Sequence, residues 1–200
     1  MGRSDRAGVE GSVSLRVREE QMACFFPLLQ KGFAMPARLG RSVGVFLREQ
    51  LGLSGEYIET RIQTVFLDGK PVDDIERALL GEGTTLALAP AMPGLMGAML
   101  RRGGYYAPMR SGITHRDDVS PQQATGKGLI TLKLFGTALR ELGPGILARG
   151  IGVDGEALAQ LLEGLPEECR GELGGAAAIR GGKTVLLRVE VMPAGGRDPG

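Results

Sequence analysis

Apolar and polar residues alternate over 12–17 (SVSLRV), which places Val13, Leu15 and Val17 on one face of a half-buried strand. Residues 22–33 (MACFFPLLQKGF) are dense in apolar side chains. Pro27 suits the first turn of a helix starting near Phe25 or Phe26, and Gly32 suits its end. A short strand, interrupted by Pro36, is expected over 33–39. Ser42 then reads as an N-cap, with Val43, Phe46, Leu47 and Leu51 on one helical face and Gly52 as the stop. Residues 62–67 (IQTVFL) predict a strand, and Asp68-Gly69 a hairpin turn into Lys70-Pro71-Val72. One helical turn is expected over 75–80. Residues 84–89 resume an apolar strand that stops at Pro90 and Pro93, which lack the N–H a central ladder needs.

From 97 to 128 neither a period of 2 nor one of 3.6 survives, and a linker is expected, docked through Tyr105 and Tyr106. The second half then repeats the plan. LITLKLF over 129–135 sets Ile130, Leu132 and Leu134 opposite Val13, Leu15 and Val17. Asp154 reads as the cap of a helix, DGEALAQLLEGL, that aligns with 42–53. A short strand over 176–179 and the turn Gly181-Gly182-Lys183 lead to the strand TVLLRVEV. Thr84, Leu86, Met92 and Pro93 match Thr184, Leu186, Met192 and Pro193 without a gap, so an internal duplication is expected.

Composition agrees with two modest modules. The 200 residues are 42% hydrophobic and 24% charged, with 33 glycines, few aromatics and no Trp, which describes a globular chain with many tight turns and a thin core. A net charge of +1 argues for neither nucleic acid nor an anionic membrane as partner. The two cysteines, Cys24 and Cys169, form no disulfide framework and suit a reducing compartment. The first residues lack the apolar core of a secretory signal, and the apolar run over 83–100 is broken by Pro90 and Pro93. A cytoplasmic location and no membrane partner are expected.

Residues 42–91, above all FLDGKPVDD followed by GEGTTLALAP, resemble the small sulfur-carrier proteins of the ThiS/MoaD family, which share the ubiquitin-like β-grasp fold. The resemblance covers about a quarter of the chain well and the second half more weakly. It implies an α+β fold made by tandem duplication of two small β-grasp-like modules, each a mixed sheet crossed by one main helix. The expected ranges are 12–96 and 129–196, joined by the Gly/Arg/Tyr-containing linker 97–128. In sulfur carriers the last strand runs into a C-terminal Gly-Gly whose carboxylate is activated. Here Gly195 and Gly196 are the candidate tail, yet Arg197-Asp198-Pro199-Gly200 follows, and trimming would be needed to expose it. Arg101-Arg102-Gly103-Gly104 resembles a ubiquitin-type tail, but the chain continues well past it.

Candidate chemistry is sparse. Gly182-Lys183-Thr184 lacks the upstream glycine of a phosphate loop, which also needs a helix to follow. His115 is the one histidine; with Asp117 or Asp118 it could serve Ser111 or Ser120, but no oxyanion motif is near. One histidine and two isolated cysteines make no metal cluster, and no cofactor is expected. The chain is therefore expected to be a non-enzymatic protein-interaction or assembly module, contacting a protein partner or a second copy of itself. Pro90, Met92, Pro93, Met96, Met99, Arg101, Arg102, Tyr105 and Tyr106 form the candidate interaction surface. A sulfur-carrier or modifier role is the alternative. RNA binding through the arginines and tyrosines is the third reading.

Overall fold

Local chemistry sets most of the elements, and the computed structural model describes residues 9–110, 112–115, 126–165 and 183–192. The fold is α+β. Strand β1 (Val9–Val17) leads through a 3-10 turn to α1 (Phe26–Lys31), which Pro27 opens and Gly32 closes at φ 117°. Strand β2 (Phe33–Leu39) follows. Ser42 caps α2 (Val43–Val45), its Oγ accepting from Val45 N at 3.2 Å. The helix then widens into a π turn, Phe46–Gln50, closed by Leu51 N donating to Phe46 O, and Val43, Phe46, Leu47 and Leu51 are buried as their spacing predicts.

A helix absent from the sequence prediction, α3 (Gly55–Arg61), is capped by Ser54, whose Oγ accepts from Tyr57 N. Strands β3 (Thr64–Leu67) and β4 (Lys70–Pro71) form the predicted hairpin. Both of its central residues have positive φ, Asp68 at 49° and Gly69 at 78°, the conformation that favours Asp-Gly. Strand β5 (Thr85–Ala89) is followed by α4 (Gly94–Leu100), which crosses the expected start of the linker at 97. Beyond 125 come β6 (Gly126–Leu134), α5 (Gly136–Arg149), β7 (Ile151–Asp154), α6 (Gly155–Gly164) and β8 (Thr184–Val191). Asp154 holds the N-cap position of α6, but its side chain makes no capping bond. The strand expected over 176–179 and its glycine turn lie outside the described residues, as does Cys169.

The chain divides into two compact units, Met1–Phe33 with Leu142–Gly200, and Ala34–Glu141. These differ from the contiguous ranges 12–96 and 129–196. In the discontinuous unit the strand order is β1-β8-β7, with β1 and β8 parallel and β7 antiparallel to β8. In the central unit it is β2-β6-β5-β3-β4, with β5 and β6 parallel and β3 antiparallel to both β4 and β5. The first strand of each half of the sequence therefore completes the last strand of the other half. Alternation shows which face of a strand is buried, but it carries no information about which partner the strand will find.

The expected duplication does not stay in register at its last strand. Leu86 and Leu88 are fully buried, whereas Leu186 is half-buried and Arg188 exposed; the buried residues of β8 are Val185, Leu187 and Val189. The gapless match of Leu86 to Leu186 is thus out of phase by one residue, which in a strand reverses the faces. The ladders agree: Leu86 pairs with Leu132, while Leu186 pairs with Ser12 and not with Leu15.

Candidate functional site

Residues 94–115 of the central unit form a strap, and its anchor is one residue that carried no signal in the sequence. Arg110 ends a 3-10 turn, Ala107–Arg110, and its side chain is 1% exposed. Its Nε donates to Met99 O at 2.6 Å and its Nη1 to Thr114 Oγ1 at 2.8 Å. Its Nη2 donates to Asp73 Oδ1 at 2.6 Å and to Arg101 O at 3.5 Å. The guanidinium thus gathers the carbonyls at the end of α4 and ties them to the loop after β4. A planar five-donor cation suits that task, which a lysine could not perform.

Further bonds seat the strap on the same unit. Arg102 N donates to Gln63 O at 2.8 Å, Gly103 N to Asp73 Oδ1 at 3.1 Å, and His115 N to Pro71 O at 2.8 Å. Midway along its length, α4 lies so close to the preceding turn that a Cβ on the buried Gly97 would collide with the Met92 carbonyl. The described part of the expected linker is therefore folded against the central unit, through Arg102, Gly103, Arg110 and His115 and not through Tyr105 and Tyr106, which are exposed.

What the strap turns outward is apolar. Leu95 is 66% exposed, Met96 67%, Tyr105 91%, Met109 72% and Ile113 61%, with Tyr106 at 37%. Among the described residues these are six of the nine exposed large hydrophobic side chains, gathered in a short segment. The predicted surface is thereby sorted. Met96, Pro93, Arg101, Tyr105 and Tyr106 are exposed, whereas Pro90, Met92 and Met99 are half-buried. Leu95, Met109 and Ile113 join the exposed set; their neighbours Gly94 and Pro108 read only as chain breakers in the sequence.

Arg102 plays a different part from the one expected of it. It is half-buried, its Nη2 donates to Ile58 O at 3.3 Å, and burial pulls its pKa below the usual guanidinium value. It lines a cleft of about 320 Å³ with Arg48, Glu59, Asp73, Asp74 and Glu76. Arg48 grips Glu76 through two parallel bonds of 2.6 and 2.7 Å, which hold the Glu76 carboxyl below the ordinary range and the Arg48 guanidinium above it. That pair stabilises the fold above the usual carboxylate pKa, and its contribution fades as pH falls through the lowered value of Glu76. Both side chains are about half exposed, so the effect is small. Four carboxylates face two guanidiniums here, and the same Asp73 and Arg102 seat the strap, so the cleft reads as the strap's ionic footing.

The remaining candidates fall as follows. Gly103 of the Arg101-Arg102-Gly103-Gly104 stretch is bonded to Asp73 within the strap. Gly195, Gly196, Ser111, Asp117, Asp118 and Ser120 lie outside the described residues. Lys183 and Thr184 lead into a strand. Among the described residues no group of three or more His, Cys, Asp or Glu side chains could hold a metal ion, and no helix is long and apolar enough to cross a membrane. Comparison with known protein families, curated proteins and solved structures finds no match.

Proposed function

We propose that this chain is a non-catalytic protein-interaction or assembly module on a ubiquitin-like plan, with the strap of residues 94–115 as its contact surface. The observation that carries the reading is the gathering of exposed apolar side chains on a segment already held in place by a buried arginine. Isolated exposed hydrophobics are ordinary on any protein. Six of them on one anchored strap are not, because a contact surface ordered before binding avoids much of the ordering cost. Methionine and tyrosine suit such a role, the first by adaptability and the second by area gained per frozen rotamer.

The β-grasp-like plan is supported in the central unit by its order β2-β6-β5-β3-β4, with a parallel pair in the middle and an Asp-Gly hairpin at one end. Duplication is supported by the matching parallel pair β1/β8 of the other unit. The two halves then exchange their first strands.

A photoreactive side chain placed at Met96, in cells that make the protein, tests the reading. A discrete protein adduct is expected at that position and none at the exposed Glu156 of α6. Equal labelling at both positions, or none at Met96, contradicts it.

A further inference from the structure

We propose that two copies of this chain pair through β1, edge to edge and antiparallel about a two-fold axis. Strand β1 stands at one end of the order β1-β8-β7, and among the described residues nothing pairs with its outer side. The direction of its peptide groups follows from one bond. Val17 O accepts from Met192 N at 2.8 Å, on the β8 side. Peptide groups alternate along a strand, so Val13 and Leu15 also turn theirs to β8, while Ser12, Ser14 and Arg16 turn theirs outward. The side chains of those three residues are exposed.

Long open edges invite a further strand, and proteins usually blunt them with proline, charge or brevity. The central unit does so at β4, which is two residues long. It contains Pro71, without an N–H, whose carbonyl is taken by His115 N. Over residues 12–17 of β1 there is no proline and no lysine. The one charge within residues 12–17, Arg16, faces Glu190 of β8 at 3.9 Å in the ladder register. The central unit also displays the completed arrangement. There β6 stands to β5 as β1 stands to β8, and β6 carries a second neighbour, β2, on its other side. The equivalent place beside β1 is strand-shaped.

A second copy fits that place without any new sequence. With the axis at Ser14, Ser12 of one chain lies opposite Arg16 of the other, and Val13 opposite Leu15 on the buried face. Residues 12, 14 and 16 then exchange N–H···O=C hydrogen bonds through both of their backbone polar groups across the interface, as hydrogen-bonded antiparallel pairs do. The two Arg16 side chains stand four residues apart along the strand, about 13 Å at strand rise, beyond the screening length at physiological salt. No like-charge contact opposes the pairing. The contact is isologous and closed, so it stops at a dimer. It uses a different surface from the strap and stands or falls apart from it.

Light scattering on the purified full-length protein should give a species of twice the 21.1 kDa chain mass as concentration rises. Ser14→Pro removes one outward N–H and leaves the β8 ladder intact, as edge prolines do, so it should give a monomer with unchanged circular dichroism. Should that variant fail to fold, Ser14→Cys in a Cys24→Ser, Cys169→Ser background decides. Oxidation should then trap a covalent dimer at position 14, and Ser12→Cys should trap none. A wild-type monomer at every concentration overturns the proposal. So does a dimer that survives Ser14→Pro, or the absence of any Ser14→Cys cross-link.

Discussion

Asp73→Ala should cost about 3 kcal/mol and release the strap from the central unit. Arg110 is the reason. Its guanidinium is 1% exposed, and Asp73 is the carboxylate bonded to it. Removing one partner of a buried pair leaves a charge in a medium that cannot solvate it, typically at a cost of about 3–5 kcal/mol. The lower end applies because Met99 O, Arg101 O and Thr114 Oγ1 remain as neutral acceptors. Detachment of the strap sets a ceiling on the loss, since the cation can escape by leaving with it. Hydrogen exchange separates these outcomes: the amides of Arg102 and His115, bonded to Gln63 O and Pro71 O, should lose protection before those of β5. Arg110→Met should cost less than Asp73→Ala, because it strands no charge and Asp73 is exposed enough to rehydrate. Losses near zero for both would mean that the strap is held by packing alone.

Deleting residues 1–17 should unfold the unit that contains β7, α6 and β8 while leaving 34–141 protected from exchange. The deletion removes Val13, Leu15 and Val17, which are 1%, 2% and 0% exposed. At about 1.5–3 kcal/mol for each buried side chain, the loss is roughly 5–9 kcal/mol. It also opens the parallel ladder along β8. A typical domain is stable by about 5–15 kcal/mol, so little or nothing would remain. The prediction is selective, because in the linear order of the sequence β1 is followed by the central unit, which should survive its removal.

Much of the secondary structure was legible where a single residue type dictates the backbone. Ser42 announced a helix start, Gly32 a helix end, and Asp68-Gly69 a turn with two positive φ values. Alternation found the buried faces of β1 and β6 as well, but the match of Leu186 to Leu86 gave the wrong face of β8. Three helices escaped. Helix α5 carries Gly136, Gly143, Pro144 and Gly145, all poor helix formers, and forms because Ala138, Leu139, Ile146 and Leu147 are buried along it. Helix α4 has only seven residues, with a glycine in the middle that close packing on Met92 requires. Helix α3 is short and hangs on Ser54, a cap with few apolar residues after it.

Pairing was the larger blind spot. Residues that meet across a ladder can be far apart in sequence, and nothing local in SVSLRV distinguishes β8 from β5 as its partner. The order of most strands was visible, but the pairing of β1 with β8 and of β6 with β5 was not. At the candidate site, Met96 and Tyr105 were named as surface candidates, but docking of the segment through Tyr105 was also expected, and that side chain is exposed. The role of Arg110 could not be inferred, since its partner Asp73 lies far back in the chain and its other acceptors are backbone carbonyls. Arg102 looked like a surface cation because the residues around it are glycine and arginine. It is in fact half-buried against the carbonyl of Ile58.

The pairing of β1 with β8 and of β6 with β5 sets the two units, and two fragments test it directly. Residues 34–141 hold β6 beside β5 together with the strap and its Arg110–Asp73 anchor. Residues 12–96 hold the same helix and hairpin but replace β6 with β1 and lack the anchor. Thermal unfolding followed by circular dichroism should show a cooperative transition for 34–141 and none for 12–96. A cooperative 12–96 alongside an unfolded 34–141 would contradict that pairing and favour contiguous modules.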